Sequence, residues 1–162
     1  MAKIVVIQGP NINLLGYGVN VEKFGPMKLE EVHKQMEMVA DDNKLEIEFF
    51  QSNLEGEIID KIQECLGDAD GIIINPNGLG ESETIKEALE VVNIPTIYVE
   101  LEKTQGKLAK IHNNIGNING FGAFGYHLAM LSLVQFLFDI KQNQTQTTNS
   151  VNNPTPVNAQ VE

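Results

Sequence analysis

Residues 3–16, Lys-Ile-Val-Val-Ile-Gln-Gly-Pro-Asn-Ile-Asn-Leu-Leu-Gly, carry an apolar run straight into a loop of Gly, Pro and Asn. Four consecutive aliphatic residues, Ile4 to Ile7, leave no polar face, and all are β-branched. That pattern suits a strand covered on both sides, as in a parallel sheet. A loop at the carboxyl end of such a strand is where open α/β sheets bind ligands. The segment therefore predicts both the fold class and the place of a site.

The rest of the chain repeats the pattern. After a Gly-containing loop over 17–27, apolar spacing at Val32, Met36 and Val39 predicts a helix from Leu29 to Asn43. Leu45–Gln51 reads as a second strand and Glu55–Leu66 as a helix with Ile58, Ile59, Ile62, Cys65 and Leu66 inward and Gly67 at its C′ position. Gly71–Asn75 is a third strand entering the loop Pro76–Gly80, Ser82 caps a helix reaching Val92, and Thr96–Leu101 is a fourth strand. Residues 102–119 are polar and give no clear element, whereas Tyr126–Ile140 forms a strongly apolar helix suited to burial against another subunit. Strand and helix alternation predicts a flavodoxin-like open parallel sheet with helices on both faces. One domain is expected over residues 1–140, followed by a disordered polar tail over 141–162, rich in Gln, Asn and Thr.

Composition narrows the function. The formal charge is −11 and all eleven cations are lysines, so no arginine fork is available for carboxylate or phosphate. Without a basic patch, nucleic acid is a poor partner. No apolar run is long enough for a membrane span, and a leader-like segment is not evident. The single cysteine, Cys65, excludes an internal disulfide and fits a reducing cytosol, so a cytoplasmic protein is expected. No Gly-x-Gly-x-x-Gly follows the first strand and no Walker sequence occurs, so nucleotide binding gains no support.

Two strand-end loops place an Asn beside Pro and Gly, at Asn11 and Asn75. In isolation each serves a turn; at the ends of neighbouring strands they point to a pocket. Together with Phe49–Gln63, Gly71–Pro76 and Gly120–Ala129, the Gly9–Gly16 loop resembles type II 3-dehydroquinate dehydratase, nearest to ε-proteobacterial versions, over residues 3 to about 140. The resemblance implies a cytosolic hydro-lyase of the shikimate pathway that uses no cofactor or metal. It also implies a dodecamer built from trimers and a small anionic cyclic substrate. In that family a loop tyrosine, activated by an arginine, abstracts a proton beside the substrate ketone; polar groups including an Asn hold the enolate, and a histidine protonates the leaving hydroxyl.

Asn11 and Asn75 match the family motif at a catalytic and a substrate-binding position. The other aligned positions differ. The arginine falls on Gly18, the tyrosine on Phe24, and the two histidines on Glu81 and Glu100. The carboxylate-binding Ser/Thr-Asn pair becomes Glu102-Lys103, the distal arginine falls near Ile111, and the neighbouring-subunit Asp becomes Glu87. A carboxylate replacing Ser/Thr at position 102 adds repulsion to an anion of about 4 kcal/mol at 4 Å for a dielectric near 20, which Lys103 would partly offset. Impaired or absent dehydratase activity is therefore expected. Tyr17 is a candidate replacement phenol, His127 a structural residue, and His33 and His112 solvent-facing ones. Two alternatives stand beside the lyase: a non-catalytic oligomer or small-molecule binder, and a metal site formed by Glu81, Glu83, Glu100 and Glu102.

Overall fold

A computed structural model describes residues 1–103 and 110–151. Five strands, β1 (Lys3–Gln8), β2 (Glu46–Gln51), β3 (Gly71–Asn75), β4 (Thr96–Glu100) and β5 (Asn114–Asn119), pair in the order β2-β1-β3-β4-β5. Every pairing is parallel. This is the flavodoxin-like order, whose topological switch point lies between β1 and β3. The helices are α1 (Val19–Phe24), α2 (Leu29–Asp42), α3 (Glu55–Glu64), α4 (Glu83–Val92) and α5 (Phe124–Val151).

The continuous apolar run of β1 is explained by two separate cores. Ile4 and Val6 join Ile73, Ile97 and Val99 beneath α2 and α5, while Val5 and Ile7 join Ile72, Ile74 and Tyr98 beneath α3 and α4. Strand side chains alternate between faces, so a strand covered on both needs apolar residues at every position. The same alternation puts Gln8 and Asn75 on the α2/α5 face and Glu100 beside Tyr98 on the other.

Several boundaries differ from the sequence expectation. β5 lies in the stretch that gave no clear element. Its Asn-Ile-Gly-Asn-Ile-Asn sequence is poor in strand formers, and as an edge strand only partly covered it needs no apolar run. The 17–27 loop contains the short helix α1. Leu66, expected inward, is exposed, because α3 ends at Glu64 and the chain turns away through Gly67 at φ 78°. The last helix continues past residue 140 to Val151, since Lys, Gln and Thr tolerate helix and proline first recurs at Pro154. Residues 152–162 of the expected tail lie outside the described residues.

Candidate functional site

The ends of β1 and β3 are cross-tied through their loops. Gly9 N–H donates to the Asn75 carbonyl at 2.8 Å, and the Asn77 amide donates to the Pro10 carbonyl at 2.8 Å. Asn11 and Asn77 both adopt left-handed backbone, φ 68° and 48°, which Asn accepts more readily than most residues. Asn53 fixes the first of these turns by accepting the Asn11 N–H at 2.9 Å. Gly9 is required here, because a Cβ would collide with the Pro76 carbonyl.

Beneath the loops runs a buried polar chain. His33 Nε2 donates to Gln8 Oε1 at 2.8 Å, and its ring stacks on Phe49. The Asn75 amide donates to the Tyr126 hydroxyl oxygen at 2.9 Å and its carbonyl accepts the Asn77 N–H at 3.0 Å. Gln8, Asn75 and Tyr126 are fully buried. Burial lowers the His33 pKa, opposed by the charge of Glu30, and raises that of the Tyr126 phenol. His33 is thus not the solvent-facing residue expected from its polarity; helix spacing places it at the edge of the α2 face that covers β1.

Above the sheet end opens a cleft of about 430 Å³. Its polar lining comes from Asn11, Asn20, Lys23, Asn77, Glu81, Tyr98, Glu100 and Glu102, and Phe24 supplies an aromatic wall. Tyr98 and Glu100 are two residues apart on one strand, so both point to one face, and the Tyr98 hydroxyl donates to Glu100. Burial pushes both groups up; the Tyr98 hydrogen bond opposes the rise at Glu100, and the charge of Glu102 adds to it. Lys23 of α1 pairs with Glu102 at 3.3 Å across the mouth, both side chains being more than half exposed.

Several aligned positions meet in this cleft: Asn11, Phe24, Glu81, Glu100 and Glu102 line it. Others do not. Asn75 is not in the lining: its side chain bonds the Tyr126 hydroxyl and the Asn77 backbone N–H. Ile111 is buried in the apolar core under α3 and α4, away from the lining. Glu87 is exposed on α4, beside Ile59 and Gln63 of α3. Gly18 (φ 54°) and Lys103, exposed beside Gly120, are not in the lining. The lysine that meets Glu102 is therefore Lys23, not its sequence neighbour Lys103.

Tyr17 is half exposed beneath the Lys28 ammonium, 4.6 Å from its ring centre, and does not line the cleft. His112 pairs with Asn93 on the surface, and His127 stacks against Phe124. The metal alternative does not assemble. Among the described residues no group of three or more His, Cys, Asp or Glu is placed to hold a metal ion, and Glu83 points to Lys86 on α4. Tyr98, Lys23, Asn20 and Asn77 were missed as lining residues; for Tyr98 the Tyr-x-Glu spacing at a strand end was the available signal.

Comparison with known proteins places these features in a family. The sequence model for "Dehydroquinase class II" matches residues 2–134. The chain is 50% identical to a 3-dehydroquinate dehydratase of Sulfurovum over 151 residues, covering 89% of this chain and 93% of that protein. It is 48% identical to the 3-dehydroquinate dehydratase of Wolinella succinogenes, covering 85% of this chain and 87% of that protein. Among solved structures, a type II dehydroquinase from Butyrivibrio crossotus superposes with a TM-score of 0.72 at 34% identity, covering 83% of this chain and 97% of that one.

Proposed function

The chain belongs to the dehydroquinase class II family, and from that premise we propose that it is a type II dehydroquinase scaffold impaired as a 3-dehydroquinate dehydratase. The supporting observation is the lining of the sheet-end cleft. Glu81, Glu100 and Glu102 face it, no histidine lines it among the described residues, and the chain has no arginine.

Dehydration of a hydroxy-ketone requires a base at the carbon beside the carbonyl, donors for the enolate oxygen and an acid for the departing hydroxyl. Asn11 lines the cleft, whereas the Asn20 and Asn77 amides that also line it already donate to the Leu14 and Pro10 carbonyls. Phe24 has a ring but no ionisable hydroxyl. Tyr98 does have one, but burial and its bond to Glu100 keep it protonated, which suits a donor and not a base. Glu100 is the available acid, because burial favours its neutral form. Among the described lining residues an anionic substrate meets the carboxylates of Glu81 and Glu102 and one lysine, Lys23, which is paired with Glu102. Loss of one acid or base costs about a hundred- to ten-thousandfold in rate.

Turnover of 3-dehydroquinate, followed by the ultraviolet absorbance of the conjugated product, tests the reading. A rate about ten-thousandfold or more below the Wolinella relative assayed in parallel is the expected result. A comparable rate would sink it.

A homo-oligomer, built from trimers into a dodecamer and located in the cytoplasm, is part of the same proposal. Exposed Leu131 and Phe138 on α5 support a partner-covered face there. Light scattering that returned a monomer would count against the assembly. No described helix is long and apolar enough to cross a membrane.

A further inference from the structure

We infer that the buried chain His33–Gln8–Tyr126–Asn75 is a two-state hydrogen-bond relay: a proton gained by His33 turns the Gln8 amide over and is felt at Asn77 in the strand-end loop. The first observation is a deficit. Gln8 is fully buried with Oε1 against His33 Nε2 at 2.8 Å, and its own Nε2 has no hydrogen-bond partner among the described residues. The same side chain faces the Tyr126 hydroxyl, whose oxygen accepts the Asn75 amide at 2.9 Å. A tyrosine hydroxyl also has a proton to donate. Among the described residues no acceptor takes it.

A half-turn of the Gln8 amide about its last side-chain bond removes both deficits. The oxygen then accepts the Tyr126 proton, and Nε2 donates to His33 Nε2. That torsion is roughly two-fold and the two ends of an amide have nearly the same shape, so the packing is kept. The turned arrangement has one requirement. His33 must be neutral with its proton on Nδ1, leaving Nε2 free to accept. A protonated ring donates from both nitrogens, so Gln8 must then present its oxygen to His33 and its Nε2 to the Tyr126 oxygen. This second orientation is the one observed, and in it the Tyr126 proton loses its acceptor. Asn75 carries the change onward, because its amide donates to the Tyr126 oxygen while its carbonyl accepts the Asn77 N–H.

Few charges compete with this coupling at His33. Its own helix supplies Glu30, which favours the proton against burial, and the exposed Lys34 and Glu37. β1 and β2 present the uncharged Gln8 and Phe49. Glu46 and Glu48 of β2 alternate onto the opposite face, where they pair with Lys3. The loop at 12–14, packed on α2, has no charged residue. On α5 the described titratable groups are Tyr126 itself, His127 stacked on Phe124, Asp139, which accepts from Gln135, and Lys141.

The test is nuclear magnetic resonance of the full chain, labelled at histidine, glutamine and asparagine and titrated from about pH 5 to 8. Above its midpoint His33 should hold its proton on Nδ1. The Gln8 side-chain amide and the Asn77 N–H should shift with the His33 midpoint. Tyr126→Phe removes the proton that loses its acceptor, so the His33 midpoint should rise by about one pH unit. Glu30→Gln should lower the midpoint, with the Gln8 and Asn77 signals following it. Melting curves check each variant, and if Tyr126→Phe does not fold, the tautomer and the shared midpoint in the unaltered chain decide. A neutral ring protonated on Nε2, an Asn77 signal indifferent to the His33 midpoint, or an unmoved midpoint in folded Tyr126→Phe would each overturn the inference. None of these readouts depends on whether 3-dehydroquinate is turned over.

Discussion

Where β1 and β3 end, their loops are joined by backbone and asparagine hydrogen bonds over a fully buried polar chain; where α1 meets the end of β4, the described contact is the exposed Lys23–Glu102 pair. In the first wall the Asn75 amide and the Tyr126 hydroxyl are paired inside the protein, where leaving one unpaired costs about 1–3 kcal/mol, while the buried Gln8 Nε2 has no hydrogen-bond partner among the described residues. In the second, the Lys23–Glu102 pair is exposed and worth about 0.2–1 kcal/mol, beside the packing of Phe24 on the core. Asn11 and Asn75 lie in the first half, and Phe24, Glu100 and Glu102 lie in the other.

The comparison can be broken most forcefully at Gly9. Gly9→Ala drives a methyl into the Pro76 carbonyl, and about 3 kcal/mol or more of stability should be lost in urea unfolding. A near-neutral result would mean the two loops are not tightly joined. Tyr126→Phe leaves the buried Asn75 amide without its acceptor and should cost about 1–3 kcal/mol by the same measurement, with little change in cleft-mouth residues.

Acidity sharpens the contrast, because the two halves respond with opposite sign. His33 has a folded pKa below its unfolded value, so its contribution is present above the unfolded pKa and is lost as pH falls through the folded one. Glu100 has a raised folded pKa, so its contribution is present below the unfolded carboxyl value and is lost as pH rises through the folded one. Glu100→Gln should therefore raise the melting temperature near neutrality by a few degrees, and the gain should vanish in acid below the ordinary carboxyl range. A gain independent of pH would refute the assignment. The smallest effect belongs to Lys23→Ala, about 0.5 kcal/mol or less in unfolding and weaker still at high salt. A loss above 1 kcal/mol would show that α1 is anchored far more firmly than one exposed pair allows.

Much of this architecture was legible beforehand because local sequence and global fold agree. The aliphatic runs at 4–7 and 72–74, the Ser82 cap and the apolar spacing of α2 each fix an element without help from distant residues. The exceptions have physical causes. β5 is an edge strand whose half-solvated Asn and Gly residues carry no apolar signature, and α1 is too short for periodicity to register. At the site, Asn11 and Glu100 line the cleft because strand ends in such sheets converge, whereas Asn75 lies outside the lining, bonded to a partner that could not be seen in the chain.

Sequence by itself determined four of the five strands and the helices between them, the two-sided burial of β1, the absence of arginine and the family. These depend on residue type and near-neighbour spacing. Only the tertiary structure decided which polar groups are spent and which face the cleft. Asn75 is satisfied by Tyr126, 51 positions away, and Glu102 by Lys23, 79 positions away. Hydrogen bonds and ion pairs act over a few ångströms in space, and folding alone sets which residues lie within that reach.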